Sequence, residues 1–188
     1  MIDYLKYFDR ETFLFEEVHD RFHRDHSLGA FDFFSIIIWK ANRAKSIMAD
    51  KLLTEKRASA CDLNARCRVL TRSLYAAPNH RERLRILIED WDFRLPMASA
   101  ILAVCYPKDF ALYDYRVRDQ IKGFPKLNSK GDFEVLWKGY EKYIANVCKL
   151  APQQKTLRDK DRYLYGKSNA VQLRKDIQQK FEKLAPNK

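Results

Sequence analysis

Glycine is scarce in this chain of 188 residues, which contains only five. The sequence has no G-x-G-x-x-G and no G-x-x-x-x-G-K-[ST] segment, the two glycine-rich loops whose backbone amides hold the phosphates of nucleotides. ATPase and dinucleotide-dependent oxidoreductase functions are therefore disfavoured, and no cofactor is expected. A G-x-S-x-G nucleophile elbow is missing too, so serine-hydrolase chemistry has no support.

Cysteine is also sparse and scattered. The four thiols form no C-x-x-C pair, and zinc ribbons and iron–sulfur clusters need clustered thiolates. Neither group is predicted, and we expect reduced, mostly buried thiols. The four are Cys61, Cys67, Cys105 and Cys148.

Three of the four histidines share one helical face, because His19, His23 and His26 are spaced i, i+4 and i+7. Such a face can bind a metal ion. The neighbouring residues are charged, however, which is typical of a polar helix surface. We therefore predict no metal site.

Long apolar runs are missing as well. The longest, FFSIIIW, is too short to span a bilayer. The N-terminal stretch MIDYLKYFDRETFLFEEV has no basic region followed by an apolar one, so no signal peptide is predicted. A cytoplasmic protein without a membrane partner is expected.

Positive charge is abundant. Lysine and arginine number 36 against 25 aspartates and glutamates, and the net charge is +11. The basic residues are spread along the chain, which favours a folded domain with a polyanionic partner, most often nucleic acid. The alternative is a basic protein that is merely soluble. Because 46% of the residues are apolar and 13% aromatic, a packed interior and not disorder is expected.

Helical periodicity dominates the chain, and no segment alternates as a strand does. Apolar residues recur at three- and four-residue spacing in four segments, at 31–53, 63–74, 84–91 and 132–150. The fold class predicted is all-α, with about seven to nine helices. Three residues mark predicted helix ends: Gly29 ends the first helix, Asn79 caps the fourth, and Pro96 occupies a first helical position.

Residues 79–106 read as a helix, a short turn and a second helix. The first helix is NHRERLRILIEDW, the turn is DFRL, and the second helix begins at Pro96. Ser99 and its alanine neighbours allow another backbone to approach closely. A helix N-terminus carries free N–H groups and partial positive charge, so a phosphate site is predicted there, with Arg94 just ahead of it.

Asp114 is the most informative acid. In FALYDYRVR it stands between Tyr113 and Tyr115, and Arg116 and Arg118 follow on alternate positions. An aspartate that opens a helix is most often an N-cap. The alternative is a working carboxylate held against a polyanion, and the two roles are compatible. Arg118 and Lys122, at i and i+4, are predicted to contact phosphate.

The order of these segments resembles the helix-hairpin-helix superfamily of DNA glycosylases. LPMASAILAVCYPKDFALYDYRV is similar to the family's hairpin, helix, proline loop and Asp-x-His-Val motif, with DYRV in the last position. IIIWKANRAKS resembles the family's Leu-Ser-x-Gln-x-Thr segment, which lies at a helix kink facing the flipped base. The resemblance covers about residues 30–125, and more weakly DRYLYGK near the C-terminus.

The resemblance implies a single helical unit over residues 1–188, with a glycosylase-like core at 30–125 and the terminal helices packing as a second lobe. It implies a DNA N-glycosylase with Asp114 as the catalytic carboxylate. A monomer that binds double-stranded DNA with a modified or damaged base is expected, in DNA repair or phage defence. The implied base-binding residues are Trp39, Lys40, Asn42, Lys45, Tyr113, Tyr115 and Arg116, and the implied DNA contacts are Arg94, Ser99, Arg118 and Lys122.

The departures from the family pattern shape the expectation. The hairpin WDFRLP lacks the family's glycines, and Pro96 stands near the place of the lysine nucleophile of bifunctional members. Schiff-base lyase activity is therefore not predicted. Arg116 replaces the motif histidine and is the predicted counter-charge of Asp114. The alternatives are a DNA-binding module without catalysis and a protein whose basic surface meets an acidic protein.

Overall fold

A computed structural model describes residues 4–54 and 62–181, and within these ranges the chain is helical and has no strand. The all-α prediction is confirmed. The helices are α1 (Arg10–Thr12), α2 (His19–Asp25), α3 (Ala30–Ala41), α4 (Lys45–Thr54), α5 (Leu63–Ala76), α6 (His80–Arg85), α7 (Leu95–Cys105), α8 (Tyr115–Arg118), α9 (Phe133–Leu150) and α10 (Leu157–Asp176). Shorter segments are the 3₁₀ turns Leu5–Tyr7 and Asn42–Ala44 and the π-helical Phe13–Val18, Ile86–Asp90 and Ile177–Phe181.

Helix α7 lies in the middle of the molecule. Leu95 and all residues from 97 to 105 are buried, because α2, α3 and α6 pack around this helix. The buried apolar side chains form one cluster that reaches from Phe13 near the N-terminus to Leu164 in α10. No helix in the described ranges combines the length and the apolarity that a membrane span requires.

Most predicted apolar stripes face this core. In α5, Cys67, Leu70 and Leu74 are buried as their spacing predicts. Helix α9 likewise buries five side chains of its predicted stripe: Phe133, Leu136, Tyr140, Tyr143 and Val147. In α3 the three- and four-residue spacing predicts Phe34, Ile37 and Ile38 as the inward face. The fully buried residues are Phe33, Ile36 and Ile37, so the buried face is rotated by about one residue.

Of the three predicted helix ends, one is confirmed, one is shifted by a residue and one is wrong. Asn79 accepts a hydrogen bond from Glu82 N at 2.8 Å and caps α6. Pro96 is the second residue of α7 and not the first, because the helix begins at Leu95. Gly29, in contrast, is the N-cap of α3. Helix α2 ends earlier, at His26, whose left-handed φ of 55° breaks it while its ring stacks on Tyr75 at 4.0 Å.

The chain is interrupted where the family resemblance implies a kink. Helix α3 ends at Ala41, whose φ and ψ of −161° and 88° are not helical, and a 3₁₀ turn at Asn42–Ala44 leads into α4. Lys40 therefore lies in the last turn of α3, at the end of the helix that faces α8 and α10.

The histidines of α2 hold the end of α7. The His19 Nδ1 atom lies 3.0 Å from the Val104 carbonyl and the His23 Nε2 atom 2.8 Å from the Cys105 carbonyl, so both rings bond backbone oxygens of the last turn. Among the described residues, no group of histidines, cysteines and acids has metal-site geometry.

Two of the thiols are deeply buried. Cys67 and Cys105 are free and enclosed by the core, while Cys148 is half-buried. Desolvation raises the pKa of the Cys67 thiol to about 12 and raises that of Cys105 as well. Cys61 lies outside the described residues.

Candidate active site

A cavity of about 310 Å³ is formed where α3, the segment before α8 and α10 meet. This volume is at the lower end of the range of small-ligand sites, about 300–1,000 Å³. The cavity is lined by Glu11, Trp39, Lys40, Leu112, Asp114, Arg158, Asp161, Arg162, Tyr165 and Gly166. Two predicted base-binding residues, Trp39 and Lys40, thus line the same cavity as Asp114.

Asp114 is held from two sides. Its Oδ1 atom accepts a hydrogen bond from Arg116 N at 2.9 Å, which makes it the N-cap of α8. Its Oδ2 atom accepts a hydrogen bond from Lys40 Nζ at 2.8 Å. The N-cap role is confirmed, and the same carboxylate also borders the cavity. The cap fixes the orientation of the carboxylate and does not remove it from the cavity wall.

The counter-charge of Asp114 is Lys40, and the prediction of Arg116 for this role is wrong. Arg116 contributes its backbone N–H, whereas its guanidinium lies over the rings of Tyr115 and Tyr165, at 5.1 and 5.9 Å. The reason is geometric. An N-cap carboxylate faces the first backbone amides of its helix, while the side chains of that turn point outward.

Trp39 belongs to both the core and the cavity. Its ring packs edge-on against Phe15 with centroids 5.6 Å apart, and the guanidinium of Arg158 covers it at 5.3 Å. Arg158 also covers Phe15 at 4.3 Å and pairs with Glu11 Oε1 at 2.7 Å. This cation between two rings fixes one wall of the cavity.

A second acid, Asp161 of α10, lines the site and is only 3% exposed. Its Oδ2 atom accepts hydrogen bonds from Leu112 N at 2.9 Å and from Arg158 Nη1 at 3.4 Å. Desolvation raises the pKa of this carboxyl to about 6, against the opposing effects of the Leu112 N–H and the Arg158 charge. Through its hydrogen bond with Leu112 N, Asp161 holds the segment that leads to Asp114.

Other predicted base-binding residues lie away from the cavity. Tyr113 is buried and its hydroxyl accepts a hydrogen bond from Leu127 N at 2.8 Å, so its predicted role as a pocket wall is wrong. Tyr115 is exposed and does not line the cavity. Asn42, on the turn after α3, and Lys45, the first residue of α4, are both exposed, and Lys45 Nζ lies 3.3 Å from Asn42 Oδ1.

The predicted phosphate site at the start of α7 is also wrong, because the first amides of the helix already have acceptors. The Leu95 N–H is bonded to Ser129 Oγ at 2.9 Å, and Pro96 has no N–H. The amides of Met97 and Ala98 both donate to the Arg94 carbonyl at 2.9 Å. The Arg94 side chain itself is exposed and can still meet a phosphate by charge.

Ser99 and the predicted pair of Arg118 with Lys122 are placed differently from expectation. Ser99 is fully buried; its hydroxyl donates to the Pro96 carbonyl and accepts from Tyr113 N, so a DNA contact is sterically excluded. Helix α8 ends at Arg118, so the i and i+4 argument fails for Lys122, which lies in the following loop. Arg118 is bonded to its neighbour Asp119 at 2.5 Å.

Sequence reasoning did not single out Asp161, Arg158 or Glu11. A signal for Asp161 is nevertheless present. Leu157, Asp161 and Leu164 are spaced as one buried stripe, and a carboxylate in such a stripe must have partners inside the protein. Glu11 has no comparable signal, because it is 147 residues from Arg158 in the sequence and only the fold brings the two side chains together.

Comparisons of this chain with models of protein families, with curated proteins and with solved structures found no match.

Proposed function

We propose that this protein is a monofunctional DNA glycosylase, which hydrolyses the N-glycosidic bond of a flipped, modified or damaged base. The observation that carries the proposal is the position of Asp114. Its carboxylate borders a cavity of about 310 Å³, with one oxygen held by its own helix and the other by Lys40. A carboxylate so restrained is preoriented toward whatever occupies the cavity.

The chemistry requires a fixed negative charge. As the bond from C1′ to the base breaks, positive charge develops on the deoxyribose ring, and a carboxylate that is already in place stabilises it. Water then adds to C1′, Asp114 accepts its proton, and the base leaves with a proton from solvent. Lys40 keeps the carboxylate oriented by donating a hydrogen bond to its Oδ2 atom.

The cavity suits an extruded base. A base inside a duplex cannot reach a protein carboxylate, so the nucleotide must leave the stack. Trp39 and Tyr165 line the cavity and offer aromatic surface for the base. Arg162 is largely exposed at the rim and can meet the negatively charged backbone.

Lys40 bears on the absence of lyase activity. Its amine lies outside the hairpin WDFRLP and reaches Asp114 from α3. An ammonium bonded to a carboxylate has no free electron pair, so Lys40 serves as a counter-charge and not as a nucleophile. Borohydride reduction during turnover should therefore trap no covalent DNA adduct. An adduct formed by the native protein and lost in Lys40→Arg would instead assign a Schiff-base lyase.

The decisive experiment is mass spectrometry of bases released from DNA of varied origin, including genomes with modified cytosine. The native protein should release a base and leave abasic sites, and Asp114→Asn should not. Asparagine caps a helix as well as aspartate does, so this variant preserves the start of α8. Asp20→Asn, an exposed residue of α2 outside the cavity, is the matched control and should remain active.

The alternatives predict different outcomes. Equal release by Asp114→Asn would remove this residue from catalysis. Salt-dependent DNA binding without abasic sites on any substrate would assign a non-catalytic DNA-binding module. Absence of DNA binding even at low salt would leave the basic surface to an acidic protein partner.

A further inference from the structure

Asp161 has one carboxylate oxygen without a partner. Its Oδ2 atom is bonded to Leu112 N and Arg158 Nη1, whereas its Oδ1 atom is enclosed and has no hydrogen-bond partner among the described residues. Asp161 is 3% exposed and lines the same cavity as Asp114. A buried acceptor left unpaired is destabilising, and more so when it is charged. An unpaired buried atom of this kind marks a functional position or the place of an ordered water or ion.

The surroundings restrict what that group is. Arg158 and Asp161 are three residues apart on α10, and the Arg158 Nε atom is a buried donor without a partner among the described residues, which would suit an acceptor atom of the same ligand. The Asp161 Oδ1 atom has the opposite requirement. An ionised carboxylate can only accept hydrogen bonds, so its partner must donate. A carbonyl oxygen of a ligand at this place would face the carboxylate oxygen and be repelled.

We propose that Asp161 is a specificity-determining residue, whose Oδ1 atom accepts a hydrogen bond from the exocyclic amino group of a base in the cavity. The inference rests on the proposed function and adds the class of substrate. The enzyme acts on amino-bearing bases, of the cytosine, adenine or guanine type, in preference to their oxo counterparts. A site built to bond an N–H discriminates strongly against the analogue that lacks it, because the protein group is then left unpaired.

The substitution Asp161→Asn reverses the polarity of this contact. Leu112 N and Arg158 Nη1 both donate toward the Oδ2 position, so the amide oxygen of asparagine is held there. Its NH₂ group then takes the place of Oδ1, and an acceptor becomes a donor with almost no change in volume. The variant should prefer oxo bases. Asp161→Ser, which removes the carboxylate and can donate or accept, should prefer neither.

The test measures dissociation constants for duplexes that carry paired probes. The pairs are 5-methylcytosine and thymine, 5-hydroxymethylcytosine and 5-hydroxymethyluracil, and adenine and hypoxanthine. Each probe is a 2′-fluoro-arabino nucleotide, because the fluorine disfavours positive charge on the sugar and slows cleavage. Each stands opposite a tetrahydrofuran abasic analogue, so that no base pair must be broken. The members of a pair differ at the exocyclic amino or oxo group and at the neighbouring ring nitrogen, which accepts beside an amino group and donates beside an oxo group.

The native protein should bind the amino member of a pair about tenfold to a hundredfold more tightly, as expected for one hydrogen bond to a charged group. Asp161→Asn should reverse the preference, and Asp20→Asn should keep it. Equal affinities in the native protein would overturn the proposal and would indicate that a water molecule fills the place. A preference unchanged in both Asp161→Asn and Asp161→Ser would overturn it as well.

The outcomes separate this inference from the proposed function. Base release without discrimination between amino and oxo probes would leave the glycosylase standing and remove Asp161 as its specificity residue. Discrimination in binding without release from any DNA would remove the glycosylase and retain a base-recognition site. Thermal unfolding of each variant reports whether it folds, and Asp161→Ser tests the residue should Asp161→Asn fail to fold.

Discussion

Lys40 Nζ lies 2.8 Å from Asp114 Oδ2, and this ion pair joins the last turn of α3 to the cap of α8. The partners are 74 residues apart in the sequence. Their side chains are only 12% and 16% exposed, so water and salt screen the pair less than they screen a surface ion pair. The pair therefore couples the stability of the fold to the geometry of the candidate site.

Removing either partner of this pair should destabilise the protein measurably. For Lys40→Met we expect a loss of about 2 kcal/mol in the free energy of unfolding, because a partly buried carboxylate loses a charge-assisted hydrogen bond. A double-mutant cycle with Asp114→Asn, measured by urea unfolding, should give a coupling energy of about 1–3 kcal/mol.

The exposed pair Lys51–Asp92 provides the comparison, since Asp92 is 75% exposed there. The same cycle with Lys51→Met and Asp92→Asn should give less than about 1 kcal/mol. Equal coupling energies in the two cycles would show that burial does not strengthen the Lys40–Asp114 contact.

The Ser129 hydroxyl should stabilise the start of α7. Its hydroxyl accepts the Leu95 N–H at 2.9 Å, and Ser129→Ala leaves this amide without that acceptor at the start of the central helix. We expect a loss of about 1 kcal/mol in the free energy of unfolding, measured with urea. Ser46→Ala, at an exposed position within α4, should be neutral or slightly stabilising, because alanine is the better helix former.

Asp161 should make stability depend on pH. Burial raises the pKa of its carboxyl from 3.8 to about 6, despite the Leu112 N–H and the charges of Arg158 and Lys40, while Asp114 adds to the increase. The folded state thus binds this proton more tightly than the unfolded state does. The contribution to stability is complete below pH 3.8 and is lost as the pH rises through about 6.

The change amounts to about 3 kcal/mol at most, from a shift of about two pKa units. Unfolding with urea at pH 4 and pH 7 should show it as a difference between the native protein and Asp161→Asn, which cannot ionise. Asp20→Asn, whose aspartate is exposed, should follow the native protein. A native protein whose stability has the same pH dependence as that of Asp161→Asn would contradict the assignment of this pKa.

Arg94 should contribute to DNA binding through charge alone. It is exposed at the start of α7, where the backbone amides are already bonded. In the proposed complex, Arg94→Ala should weaken binding to all duplexes alike and reduce the slope of log K against log salt by about one.

Lys149 is the matched control, because it lies at the far end of α9. Helix α9 begins shortly after Ser129, whose hydroxyl is bonded to Leu95 next to Arg94. Its 18 residues span about 27 Å, so Lys149 is remote from Arg94. Lys149→Ala should leave the slope unchanged. An equal change of the salt slope in both variants would show that binding depends on the net charge of the protein and not on the surface around Arg94.

The helical class and most of the core follow from local pattern. Helices α5 and α9 bury the side chains that three- and four-residue spacing selects, because one face of an isolated helix is apolar enough to define the buried side. Caps such as Asn79 and Asp114 are equally local, since a side chain bonds an amide two or three residues away. In α3 the pattern is apolar almost all round, so spacing alone could not orient it.

The residues that meet at the candidate site do not follow from local pattern. Asp114 was identifiable from its motif, but its ion pair with Lys40 and the proximity of Glu11 and Asp161 join four separate parts of the chain. Spacing carries no information about which helix ends meet, because that is set by how α3, α8 and α10 pack. Likewise, residues 95–98 have a free helix N-terminus in isolation, and only a loop more than thirty residues further on brings Ser129 to close it. Short-range hydrogen bonds and apolar periodicity are determined by residues that are neighbours in the sequence. Charges that meet across a cavity depend on the long-range packing of helices.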